Sequence, residues 1–196
     1  PAPGTDPGPQ AEQGLALDRV TLAFQPQICC DTGSVLALRV LARVRMDASD
    51  SRDLDEIESR LDDETLGKVA QHVLRQALSC LKSWDRMGGR VPLLSLPLSD
   101  RMLADPLLAD TVLWELDRQD LLPARLEIEV SEPIGRSGGR VPVTASLQRL
   151  AAAGCTLALG EFGTGSAGLA DLRRFGITRV RISREFIADC DRRSDQ

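Results

Sequence analysis

Cys155-Thr156-Leu157-Ala158-Leu159-Gly160-Glu161-Phe162-Gly163-Thr164-Gly165 is an apolar run that ends on an acidic residue and breaks into a glycine-rich turn. A helical pattern, Ala167–Phe175, follows it. A buried strand whose carboxyl end carries an acid, then a turn, then a helix, is the layout of an active-site loop in an α/β fold. Such folds place metals and ligands at the carboxyl ends of their strands, so the worth of Glu161 depends on what surrounds it.

Outward from that loop, strands and helices alternate. Val20–Ile28 reads as a strand, Asp31-Thr32-Gly33 as a turn and Ser34–Val44 as a second strand, which together make a hairpin. From Leu66 the apolar spacing turns helical through Val69, Val73, Leu74, Ala77, Leu78, Leu81 and Trp84, and Gly88-Gly89 stops it. Next come a strand over Val91–Leu98, a helix carrying Leu107 to Leu116, and a strand over Arg125–Val130. A helix over Val143–Ala153, the strand Cys155–Leu159, the helix Ala167–Phe175 and a strand over Arg179–Ile182 complete the series. Short alternation of this kind predicts a parallel α/β sheet or barrel of about six strands, where a closed barrel has about eight. Asp47–Glu64 is strongly acidic and reads as a solvated loop or frayed helix, with a docking surface for a basic partner as the sharper alternative.

The bulk composition sets limits. A chain of 196 residues holds one domain with a real core, and with 3% aromatics and no tyrosine that core is aliphatic. A net charge of −5 argues against a general nucleic-acid surface. No apolar run approaches the roughly 20 residues of a membrane span, and no leader opens the chain. The expectation is a cytoplasmic bacterial protein, or a cytoplasmic piece of a larger one. Residues 1–13, rich in Pro and Gly, read as disordered linker, 14–190 as the domain and 191–196 as a disordered tail. Cys29, Cys30, Cys80, Cys155 and Cys190 show no metal spacing and read as buried free thiols.

Three stretches together resemble the EAL domain, the bacterial cyclic di-GMP phosphodiesterase module. They are Phe24-Gln25-Pro26 with Asp31-Thr32-Gly33 and Leu38–Arg43; Leu126–Glu132; and Glu161–Gly165 running on through Leu169 and Leu172 to Val180–Ile187. The resemblance covers Leu15 to Ala188. It implies an EAL-type TIM-like α/β barrel with an antiparallel first strand, here without the family's usual C-terminal strands. It also implies the family's chemistry, phosphodiester hydrolysis by two magnesium or manganese ions held on carboxylates and an asparagine.

The resemblance further implies a degenerate site. The signature glutamate falls on Arg39, the asparagine ligand on Pro97, the paired aspartates on Gly160 and Glu161, and the water-activating lysine on Arg181. A cation repels a divalent ion, and a guanidinium does not release its proton at any relevant pH. Glu129 and Glu161 remain as remnants of the ligand set. The expectation is therefore no catalytic residue, no bound metal and no cofactor of its own. Gln25, Leu41 and Arg43 match positions that contact the dinucleotide. Glu132 matches the glutamate that braces the loop Phe162-Gly163-Thr164-Gly165, which couples dimerisation to activity in the family.

Plainer roles are open for the same residues. Arg43 pairs with Glu129, Gln25-Pro26 ends a strand, Glu132 caps the turn at Pro133, and the glycine turn only starts a helix. Arg173, Arg174, Arg179, Arg181 and Arg184 read as solvated charges, with phosphate or partner binding as the alternative. The leading functional reading is an inactive EAL-like domain that serves as a regulatory or protein-interaction module, with a protein partner or dimer mate. A non-hydrolysing cyclic di-GMP receptor is the alternative; an active phosphodiesterase and a remnant without selected function stand behind it.

Overall fold

The computed structural model describes residues 15–47, 49–89, 91–130, 141–163 and 169–188. The expected linker and tail, Glu132, Thr164, Gly165 and Cys190 lie outside the described residues.

Strand β1 (Val20–Ile28) pairs antiparallel with β2 (Val35–Arg45), the hairpin expected from the sequence. Pro26 does not end β1. It sits inside the strand, opposite Leu38, and an edge strand tolerates its missing N–H. The acidic stretch departs from expectation more clearly. It folds into a short strand, β3 (Ser51–Asp53), and a one-turn helix, α1 (Leu54–Ile57), with Leu54, Ile57 and Leu61 buried. β3 pairs antiparallel with the far end of β2, which makes seven strands among the described residues, where about six were expected.

The 24-residue helix α2 (Asp63–Arg86) begins on an N-cap: the Asp62 carboxylate accepts the Thr65 backbone N–H at 2.7 Å. It buries Leu66, Val69, Val73, Leu74, Ala77, Leu78 and Leu81 along one face. Parallel strands β4 (Leu94–Leu98), β5 (Leu126–Val130), β6 (Thr156–Phe162) and β7 (Arg179–Ile182) then add in order to β2. Between them run α3 (Asp100–Leu103), α4 (Leu108–Arg118), α5 (Val141–Ala153) and α6 (Leu169–Phe175), and α7 (Arg184–Ile187) follows β7. This is the α/β arrangement with an antiparallel start that the sequence predicts.

Register decides which residues share a face. Leu96, Ile128 and Leu157 form one row across β4, β5 and β6, and Leu98, Val130 and Leu159 form another. These rows are buried with the apolar stripes of α2, α4 and α5 in one core. The opposite face is polar. Arg39, Ser95, Glu127 and Thr156 make one of its rows, and Pro97, Glu129, Ala158 and Arg179 the next.

The cysteines only partly follow expectation. Cys155 is buried, and that burial pushes its thiol up to about 11. Cys30 is exposed, and Cys29 and Cys80 are half-buried. Cys29 and Cys30 lie at the β1–β2 turn, where residues 30–36 are exposed.

Candidate functional site

The polar face carries an alternating code. Leu126-Glu127-Ile128-Glu129-Val130 puts two carboxylates on it, and Arg179-Val180-Arg181-Ile182 puts two guanidinium groups there two strands away. The strand between contributes only small side chains at Ala158 and Gly160, so the arginines of β7 reach across it. Arg179 Nη1 donates to Glu127 Oε2 at 3.1 Å, and Arg181 pairs with Glu129. From the other side Arg39 donates to both Glu129 oxygens, Nε to Oε2 at 2.9 Å and Nη2 to Oε1 at 3.1 Å. Ser95 Oγ adds a contact to Oε2 at 3.4 Å. Glu129, with a side chain only 5% exposed, is thus held between two guanidinium groups.

Gly160 belongs to this arrangement. A Cβ at that position would stand 2.8 Å from Glu129 Oε1. The Glu129 carboxylate therefore fills the space that any side chain at 160 would need. Burial works to loosen the proton on Arg39, but the hydrogen bonds and charge of Glu129, with Asp55 and Glu161 farther off, hold its guanidinium above the ordinary range.

Arg39, Glu129 and Gly160 open onto a cavity of about 330 Å³ that is also lined by Leu41, Leu96, Pro97 and Ser99. Its rim is acidic, made by Asp53, Asp55, Glu58 and Glu161. Burial pushes the Asp55 carboxyl up although Arg39 opposes it; burial likewise raises Glu58, against a hydrogen bond from Ser99.

The remaining sequence-derived residues fall as follows. Leu41 lines the cavity. Gln25 lies opposite Arg39 in the hairpin and is exposed. Arg43 does not reach Glu129: its Nε donates to Asp53 Oδ1 at 3.0 Å across the β2–β3 pair, because it lies four residues farther along β2 than Arg39. Arg179 is exposed, as expected, but also pairs with buried Glu127, and Arg181 departs from expectation in lying half-buried against Glu129. At the loop, Glu161 adopts a left-handed φ of 53°, and the β6–β7 register shifts between Leu159 and Phe162. Gly163 packs against the Phe186 ring so closely that a Cβ would approach Cε2 to 2.6 Å. Sequence reasoning missed Ser95, the pairing of Glu127, and the place of Asp53, Asp55 and Glu58 on the cavity rim. The matched alternation of Glu in β5 and Arg in β7 was the signal available for Glu127.

A family model described as the EAL domain matches residues 10–196. The cyclic di-GMP phosphodiesterase NbdA of Pseudomonas aeruginosa is 27% identical over 92% of this chain and 23% of its own length. The MucR phosphodiesterase, solved with c-di-GMP, superposes with a TM-score of 0.79 at 24% identity, over 91% of this chain and 72% of that one. Klebsiella pneumoniae BlrP1, solved with calcium and the dinucleotide, gives a TM-score of 0.71 at 20% identity, over 90% of this chain and 43% of that one. The chain spans about a quarter of the length of the curated relatives it matches first.

These relatives correct the expectation of no cofactor. The family's phosphodiesterases use magnesium or manganese, because a divalent ion neutralises the charge that develops on phosphorus. In this chain both Glu129 oxygens are engaged by arginines, and no three His, Cys, Asp or Glu side chains among the described residues gather to hold an ion. That arrangement does not fit an ion unless the arginines are displaced. The match over nearly the whole sequence and the shared fold lead to one conclusion: the chain belongs to the EAL domain family.

Proposed function

We propose that this EAL domain does not hydrolyse cyclic di-GMP and acts as a regulatory, protein-interacting module in cyclic di-GMP signalling. The observation that carries the reading is the clamp on Glu129 by Arg39 and Arg181. Hydrolysis needs a carboxylate free to organise water and a group able to take its proton. Here the carboxylate is neutralised on both sides by cations that keep their protons. The clamp is built into the strands, with Gly160 making room for it, so it belongs to the folded ground state.

A role as a cyclic di-GMP receptor is less favoured. Two phosphates entering the cavity would pass Asp53, Asp55, Glu58 and Glu161, and Arg43, a residue matched to dinucleotide contact, is engaged by Asp53. Calorimetric titration with cyclic di-GMP, with and without manganese, separates the two roles. The module reading expects neither heat nor a melting shift, and saturable heat would favour the receptor. Chromatography of the incubated dinucleotide tests turnover itself.

A further inference from the structure

The chain's negative charge is concentrated in one place. Residues 47–64 hold nine acidic side chains against two arginines, while all the other residues hold 20 against 22 basic ones. The acidic segment runs directly into the first turns of α2, where a groove of about 650 Å³ lies between α2 and the α3–α4 pair. Leu66, Ala70, Met102 and Leu108 give the groove an apolar floor, and Gly67 and Ala104 keep it shallow-walled. Asp63, Glu64 and Asp105 stand on its rim. Arg101 holds Asp63 at 2.6 Å and Lys68 holds Glu64 at 2.6 Å, so the rim keeps a small negative balance beside the strongly negative segment.

Gly67 lies inside a long helix, where glycine is less favourable than alanine, and no described residue stands within 4 Å of where its Cβ would be. The glycine leaves open space that none of the described residues fills. Thr111 of α4 lines the groove; Leu107, the N-cap of that helix, and Trp114 stand four and three residues from it, outside the lining, and the Arg118 guanidinium lies over the Trp114 ring at 5.6 Å. Both are well exposed, Leu107 at 65% and Trp114 at 57%. An exposed tryptophan beside an open apolar groove is the kind of anchor that protein interfaces use.

We propose that this groove docks a basic amphipathic helix of a partner protein. Its apolar residues would lie on the Leu66–Gly67–Ala70 floor and against Trp114, with its lysines or arginines facing Asp63, Glu64 and Asp105 on the rim. The proposal goes beyond the loss of hydrolysis and rests only on the interaction half of the reading above. Charge selects the occupant: a surface this acidic repels nucleic acid and acidic peptides, and it attracts a basic helix.

The test uses a fluorescein-labelled Leu/Lys peptide of about 14 residues, with leucines at helical i, i+3, i+4 spacing, and its Leu/Glu counterpart. Anisotropy is expected to show saturable binding of the Lys peptide that weakens with salt, and none of the Glu peptide. Gly67→Leu should fill the groove and weaken binding at least about tenfold, while melting no lower than the parent. Trp114→Ala should weaken it as well. If Gly67→Leu melts lower, a variant with Asp63→Asn, Glu64→Gln and Asp105→Asn carries the test, with the same loss expected. Failure of the Lys peptide to bind, equal binding by the variants, or binding of the Glu peptide overturns the proposal. So does sedimentation showing a parent dimer that Gly67→Leu abolishes, which would assign the groove to a second copy. None of these outcomes bears on turnover of the dinucleotide, so the two readings fail separately.

Discussion

Arg39 and Gly160 act through one carboxylate. Removing the guanidinium in Arg39→Met leaves Glu129 with Arg181 alone, at a cost of about 2 kcal/mol for a buried, charged hydrogen-bond pair. In a domain of this size that corresponds to a melting temperature lower by about 4–8 °C. Gly160→Ala should cost about 1–3 kcal/mol, because the added methyl displaces the carboxylate. Thermal melts of the double variant should show less than the sum of the two losses, since both disturb the same group. Additive losses would mean that Gly160 matters for some other reason. The cysteines give a second check at this scale. Thiol reagent at pH 8 should label exposed Cys30 quickly, and buried Cys155, its pKa pushed up to about 11, only after denaturation.

Among the elements, α2 depends on its cap. Two backbone N–H groups, of Thr65 and Glu64, hold the Asp62 carboxyl below the usual range. A carboxyl depressed in the folded state stabilises above its unfolded pKa, and that contribution is lost as pH falls through the folded value. Asp62→Ala should therefore melt below the parent at pH 7, and the difference should shrink as pH falls through the cap's lowered pKa and the parent's own carboxyl takes up its proton. A difference unchanged at low pH would place the effect elsewhere.

How much the sequence reveals also varies by element. β1 and β7 begin and end where alternation and turn residues place them, and the Leu and Val spacing marks the helical core of α2. β3 could not be read from Ser51-Arg52-Asp53, which has no apolar alternation; it is a strand only because β2 offers a free edge there. Leu54, Ile57 and Leu61 were the apolar residues that argued against a purely solvated segment. The pairing of Arg39 with Glu129 joins residues 90 positions apart, so only the register of three strands, β2, β4 and β5, could distinguish Arg39 from Arg43.

At the scale of the whole molecule, the α/β scaffold is kept while the polar face of its sheet is given over to ion pairs. Glu127 and Glu129 are satisfied by Arg39, Arg179 and Arg181, so the sheet's charged face holds itself together. No helix among the described residues is long and apolar enough to cross a membrane. The cavity beside Glu129 is rimmed by the carboxylates of Asp53, Asp55, Glu58 and Glu161. Cyclic di-GMP incubated with this protein in molar excess, with magnesium and then manganese present, tests the central claim most directly. The account predicts that chromatography recovers the intact cyclic dinucleotide, and appearance of the linear dinucleotide, absent from protein-free controls, would contradict it.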